Sequence, residues 1–340
     1  MPALARRSGV TFVSWLSALL ISGCATLPVP YTGQGPHPQI QRGMPVPPVD
    51  FLGNVLSLPI KLFLWDWRFN RHYISPETEQ SLIGFLDARE LPAFEETAYR
   101  LNQYRPVQDL VRLAKNRHVA WPYRLLLGLP STLLSDVLLP GRLFPWGDYY
   151  NPFTNTVHIY SDHGAIALHE AGHAYDLAKR RFKGSYAAVR LVPFVDLYQE
   201  YQATKAAITY LKETEDEEAE LAAYKILYPA YGSYVGSYLL VPFGGLIGIA
   251  AGHVAGRTTA EVVERRHARE DQEPAQAPTE PSDAPAPTDP QEQPAPLPDS
   301  AQEPPAGATG PTEATEVVQA TPADAPVSAS PPAIPLPPEE

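Results

Sequence analysis

From residue 271 to residue 340 the chain has no Phe, Trp or Tyr and no Lys or Arg, yet 13 of its 38 acidic residues and 19 of its 39 prolines fall there. A Pro/Ala/acid-rich stretch of this kind cannot bury enough apolar surface to offset the entropy of ordering it. The sequence therefore predicts a disordered C-terminal tail, placed at residues 257–340, with its aromatic-free part from 271 onward. Folding is left to the part that carries all 5 Trp, 18 Tyr and 11 Phe. That part amounts to roughly 200–220 residues, enough for one domain with a sizeable core. It is close to neutral, with 26 basic and 25 acidic side chains. Phosphate recognition wants a basic face, so no nucleic-acid partner is expected.

The single cysteine excludes an intramolecular disulfide framework and any Cys-rich zinc module. Its position is the informative part. Arg6 and Arg7 precede an apolar run from Val10 to Ile21, and then comes Ile21-Ser22-Gly23-Cys24. The run is too short for a comfortable membrane span and is a processing segment. The pattern resembles a bacterial lipoprotein signal: an aliphatic residue, two small residues, and the cysteine that becomes lipidated. The resemblance implies a signal peptide over residues 1–23, an acyl anchor on Cys24, and an extracytoplasmic protein. Ala25, a residue other than Asp, implies the outer membrane facing the periplasm where the organism has one. Residues 24–48, rich in Pro, Gly and Gln, are expected to be a disordered tether.

The next block, residues 49–256, is expected to be the folded domain. Residues 49–67 are strongly apolar and end in Trp65-Asp66-Trp67-Arg68. Two readings stand: a core helix kinked at Pro59, or a helix lying at a membrane interface. Ser75-Pro76-Glu77 starts a helix well, since it supplies an N-cap, a first-turn proline and a first-turn acid; that helix is expected to reach about Glu90. Further helices are expected over 92–102 and 107–117, and an apolar stretch over 125–139 with a break at Pro130. Asp148-Tyr149-Tyr150 and residues 156–160 are strand-like, joined by the turn composition Asn151–Asn155, which predicts a hairpin. The fold class expected is α+β and mostly helical, with this hairpin leading into the most informative helix of the chain.

That helix holds His169-Glu170-Ala171-Gly172-His173. Two histidines four apart project from one helix face and can hold one Zn²⁺. Glu170, about 100° round the helix, can take a proton from a water at the ion without ligating it. The flanking residues Ile166, Ala167, Leu168, Ala171, Gly172, Ala174 and Tyr175 are uncharged, so a helix buried on most sides carries two imidazoles and a carboxylate that must be satisfied together. Here the chain resembles the zincin metallopeptidases. In that family the preceding strand, here 156–160, lines the cleft and pairs with an extended peptide.

A catalytic zinc takes three protein ligands and keeps an open position. Asp176 and Lys179 stand where a metzincin has Gly and His or Asp, which excludes that branch. The remaining option is a Glu from a second helix, as in gluzincins. Glu200 is the preferred candidate, because Glu-x-x-Ala-x-x-x-Ala (Ala203, Ala207) puts small residues on its face and allows close approach. Glu220 has the same Glu-x-x-Ala form and is the rival. Thr204 stands where many gluzincin-like chains carry Asp or Asn. Asp176 is either an acceptor that orients an imidazole or a surface acid. His158 and His163 flank the motif, and neither is selected as a ligand. Tyr201, Tyr228 and Tyr231 are candidate oxyanion donors that spacing does not separate.

Residues 234–255 contain no Asp, Glu, Lys or Arg, and Gly244, Gly248, Gly252 and Gly256 recur every four. The length would suffice to span a bilayer, and the small-residue face suits close helix contact; a buried hairpin is the other reading. The expected function is a lipid-anchored zinc metallopeptidase acting on envelope proteins or peptides. The alternative is a non-catalytic envelope scaffold with a structural metal site, in which the Pro-rich tail binds a partner that the sequence does not identify.

Overall fold

The computed structural model describes residues 26–27, 37–89, 91–139, 141–143, 147–270 and 272. Cys24, the signal segment 1–23 and residues 273–340 of the expected tail lie outside these residues.

The described part is mostly helical and carries one mixed sheet. Its strands are β1 (Thr26–Leu27), β2 (Ile40–Gly43), β3 (Ala98–Leu101), β4 (Tyr149–Asn151) and β5 (Thr156–Ile159), in the spatial order β1-β2-β3-β5-β4. β3 runs parallel to both β2 and β5, while β4 and β5 form the expected antiparallel hairpin. The Asn151 side chain shapes that hairpin's turn by accepting from Phe153 N at 3.0 Å. Two expectations are corrected here. Residues 40–43, placed in a tether, are a strand. Residues 92–102, expected to be one helix, form only the short α4 before β3. Ala98-Tyr99-Arg100-Leu101 is buried at every position between two parallel neighbours, and that pairing overrides local helix preference.

The helices are α1 (Pro47–Leu56), α2 (Leu58–Leu64), α3 (Pro76–Asp87), α4 (Pro92–Glu95), α5 (Pro106–Lys115), α6 (Gly164–Ala178), α7 (Lys183–Ala188), α8 (Val195–Glu213), α9 (Glu217–Ser237) and α10 (Gly244–Glu270). The break near Pro59 divides α1 from α2. Ser75 caps α3 by accepting from Thr78 N at 3.4 Å. Residues 121–138 form a helical arm in which α turns alternate with π-helical stretches, Arg124–Gly128 and Leu133–Leu138. The expected break at Pro130 does not occur. The backbone stays helical through this proline, directly after the π-helical stretch Arg124–Gly128, whose wider turn accommodates a residue without an N–H.

Alternation along the strands gives the sheet two distinct faces. Tyr99, Leu101, Val157 and Ile159 point to one side, all fully buried, and pack with Leu82 and Phe85 of α3 and Leu168 and Ala171 of α6. Each large side chain so buried contributes about 1.5–3 kcal/mol. The opposite face carries Arg100, His158 and Tyr149 side by side.

The glycine-rich segment forms a hairpin of α9 and α10, with a connection at 238–243. A Cβ on Gly248 would meet the Gly232 carbonyl oxygen, and one on Gly252 would meet Pro229 Cα at 2.5 Å, so the two backbones touch directly. The spanning reading is thereby corrected: among the described residues no helix is long and apolar enough to cross a membrane. α10 also continues to Glu270, so residues 257–270 are helix and not the start of the tail.

Candidate metal centre

The site is built from α6 outward. β5 ends at Ile159, the chain turns through 160–163, and His163 caps α6 by accepting Ala165 N–H on Nδ1 at 3.2 Å. Ten of the helix's fifteen residues are buried, so the helix is covered on most sides as expected. His169 and His173, one turn apart, have ring centroids 4.7 Å from each other.

α8 brings in the third group. α6 and α8 cross where a Cβ on Gly172 would lie 2.7 Å from the carbonyl oxygen of Ala203. Ala203 and Ala207 are fully buried at this crossing. The close approach places Glu200 Oε2 at 3.1 Å from His169 Nε2 and 3.4 Å from His173 Nε2. Zn–N and Zn–O bonds of about 2.0–2.2 Å at tetrahedral angles put donor atoms roughly 3.3–3.5 Å apart. The two N–O separations are close to this spacing, so the three side chains are compatible with a metal ion held among them. Glu170 shares the cluster, since a carboxylate oxygen of its side chain lies within 4.8 Å of the two imidazoles' ligand atoms.

The surrounding groups fix these side chains. Arg190 pairs with Glu200 Oε1, which leaves Oε2 turned to the imidazoles. Gln199 in turn accepts from Arg190 Nη1 at 3.3 Å. Thr204 Oγ1 lies 3.2 Å from His169 Nδ1, so with Nε2 facing the site the Nδ1–H donates to the hydroxyl. Thr204 thus occupies the orienting role that the sequence left open.

Burial raises the Glu200 carboxyl, but His173 and His169 outweigh it and hold the group well below the usual carboxylate range. Burial lowers both imidazoles. For His169 the hydrogen bond and charge of Glu200 reverse the shift, while for His173 they do not. Glu170 is pushed up to about 8, first by burial, with Glu200 and Asp148 adding to the rise. A carboxyl so placed holds a proton readily, and a nearby cation would return it toward the ionised form.

Glu170, His173 and Glu200 line a cavity of about 200 Å³ together with Asp148, Arg190 and Tyr234. It adjoins an apolar cleft of about 690 Å³ walled by Leu127, Leu134 and Leu139 of the 121–139 region and by Tyr149, Tyr150 and Leu191. Tyr150, Arg190 and Tyr234 belong to both.

Other sequence candidates are placed elsewhere. Asp176 is buried, but its carboxylate takes Arg180 and the Tyr186 hydroxyl, not an imidazole. Glu220 accepts from Tyr224 Oη at 2.9 Å and lies 3.6 Å from Lys212 Nζ, so the rival ligand is out of the site. The substrate-pairing strand is also corrected: β5 is flanked by β3 and β4, and β4 is the sheet edge beside the cavity. Arg190 and Tyr234 were not singled out from the sequence. Arg190 lies in an unremarkable helix connection. Tyr234, in the glycine-rich segment, lies against Glu200, and its hydroxyl is held protonated by burial and by the Glu200 charge.

Compared with protein-family models, curated proteins and solved structures, the chain matches none of them.

Proposed function

We propose that this chain is a lipid-anchored, zinc-dependent metallopeptidase with a gluzincin-type ligand set, hydrolysing peptide bonds of envelope proteins or peptides outside the cytoplasm. The observation that carries the reading is the convergence of His169 Nε2, His173 Nε2 and Glu200 Oε2 beside Glu170 in an open cavity. Zinc held by these three residues would supply Lewis acidity and lower the pKa of water toward about 7. Glu170 takes the proton of the attacking water and delivers it to the leaving amine, a role worth about 10²–10⁴ in rate. Tyr234, a protonated hydroxyl on the same cavity, donates to the developing oxyanion. The outer edge of β4 offers backbone groups to an extended peptide, whose apolar side chains would enter the neighbouring cleft.

The address rests on the Cys24 signal. The exposed apolar side chains of α1, α2 and the turn that follows them, with Phe51 at 71%, Trp65 at 67% and Trp67 at 64% exposure, suit a protein held against lipid.

The deciding experiment is Glu170→Gln. It should keep one zinc at this site and lose cleavage of casein or envelope peptides by about 10²–10⁴. A wild-type protein that binds zinc there and cleaves no member of a peptide library would overturn the enzymatic reading in favour of a structural metal site in a scaffold.

A further inference from the structure

The sheet face turned away from α6 holds a second group of metal-type donors. His158 of β5 lies between Arg100 of β3 and Tyr149 of β4. Asp109 comes down from α5, and Asp136 from the second π-helical stretch of the 121–138 arm. All three potential ligands are buried: His158 is 3% exposed, Asp136 2% and Asp109 1%. One ligand atom from each lies within 4.8 Å of the others.

The partners of these groups are unevenly supplied. Asp136 is held by Tyr149 Oη and by Asn151 Nδ2, each at 2.8 Å. Arg100 Nη2 lies 2.8 Å from Asp109 Oδ1, but off the line of a well-formed hydrogen bond, and neither Asp109 oxygen accepts one. Neither ring nitrogen of His158 has a hydrogen-bond partner, and its Nε2 stands 3.9 Å from Asp136 Oδ1. Two carboxyl groups and an imidazole thus bring their polar atoms close together in the buried interior. Arg100 faces the two carboxyl groups, and the charges of Arg112 and Arg105 also reach Asp109. Buried polar groups left in this state are destabilising unless something joins them. A proton could bridge only one pair. A cation among all three would partner the free Asp109 oxygen and one His158 ring nitrogen, with Arg100 retained on Asp109 Oδ1.

We propose that Asp109, Asp136 and His158 bind a divalent first-row transition-metal ion at a second, structural site. The imidazole selects against Mg²⁺ and Ca²⁺, which take oxygen ligands, and toward Zn²⁺, Mn²⁺ or Fe²⁺. Tyr149 and Asn151 would orient the Asp136 carboxylate toward the ion. The site ties α5 and the arm to the sheet, and so fixes the wall that presents Leu134 and Tyr149 to the apolar cleft. It stands independently of the His169/His173/Glu200 reading.

The test is carried out on the full chain with His169→Ala and His173→Ala, which leaves the second cluster untouched. After dialysis against Zn²⁺ or Mn²⁺ and then metal-free buffer, this protein should retain one ion per chain and melt at a higher temperature than its chelator-stripped form. Adding His158→Gln should abolish retention. Absence of bound metal in the His169→Ala/His173→Ala protein overturns the proposal, as does full retention after His158→Gln. Should the His158→Gln chain fail to fold by circular dichroism, X-ray absorption at the zinc edge of the His169→Ala/His173→Ala protein decides. One imidazole with oxygen ligands supports the site, and any other count of imidazoles overturns it.

Discussion

At Glu200 a single carboxylate serves two masters, with Oε2 facing two imidazoles and Oε1 facing Arg190. The arginine holds one oxygen and so keeps the other aimed at the imidazoles. Arg190→Leu should therefore weaken zinc binding about 10–100-fold, measured by competition with a chromophoric chelator. Unchanged affinity would show that α8 alone positions Glu200. His163 gives a pH prediction. Burial lowers its pKa from 6.5 to about 4, and Arg68 adds to the shift. The unfolded chain thus takes up this proton near 6.5 and the folded protein only near 4. Between these values the unfolded state binds more protons, so the stabilising contribution is complete above about 6.5 and is lost as pH falls toward 4. His163→Asn keeps an N-cap acceptor and removes the titration. Wild type should lose roughly 3 kcal/mol at most relative to His163→Asn across that window, read from denaturant unfolding at each pH.

At the scale of elements, the site depends on how closely α6 and α8 cross. Two effects compete in Gly172→Ala. Alanine favours a helix by about 1 kcal/mol. Its Cβ would meet Ala203 O at 2.7 Å and Ala203 Cα at 3.1 Å, both backbone atoms that cannot rotate away. Overpacking of this kind costs about 1–3 kcal/mol, so the steric effect should win. The variant should melt lower than wild type and bind zinc more weakly, because separating the helices draws Glu200 from the imidazoles; a higher melting temperature would refute the crossing described. The hairpin, the capped α3 and the motif helix were readable from sequence because local signals agree with the fold at each: turn residues at 151–155, Ser75-Pro76, and apolar flanks around His169 and His173. β3 was misread because its four residues are set by partners distant in sequence. The 234–256 segment was ambiguous because glycines every four suit contact with any neighbour, lipid-embedded or not; the break at 238–243 resolves it into α9 and α10.

For the whole molecule, the proposed activity and the proposed address are separable. Cys24→Ser should move the protein from the membrane to the soluble fraction and remove the acyl mass by mass spectrometry, while peptide cleavage by the soluble protein stays within about twofold of wild type. Retention on membranes after Cys24→Ser would assign attachment to the exposed apolar face of α1 and α2 instead.

By itself the sequence determined the chemistry on offer: which stretch lacks the aromatic residues for a core, where the chain resembles a lipidation signal, and which two histidines share a helix face. These are properties of composition and short spacing, and they hold whatever the rest of the chain does. The tertiary structure decided what meets what. It chose Glu200 over Glu220 and put Arg190 and Tyr234 beside the site. It also gathered Asp109, Asp136 and His158 on the far face of the sheet. Contacts between groups 20 or more residues apart in the sequence depend on helix crossings and strand order, and no local pattern encodes those.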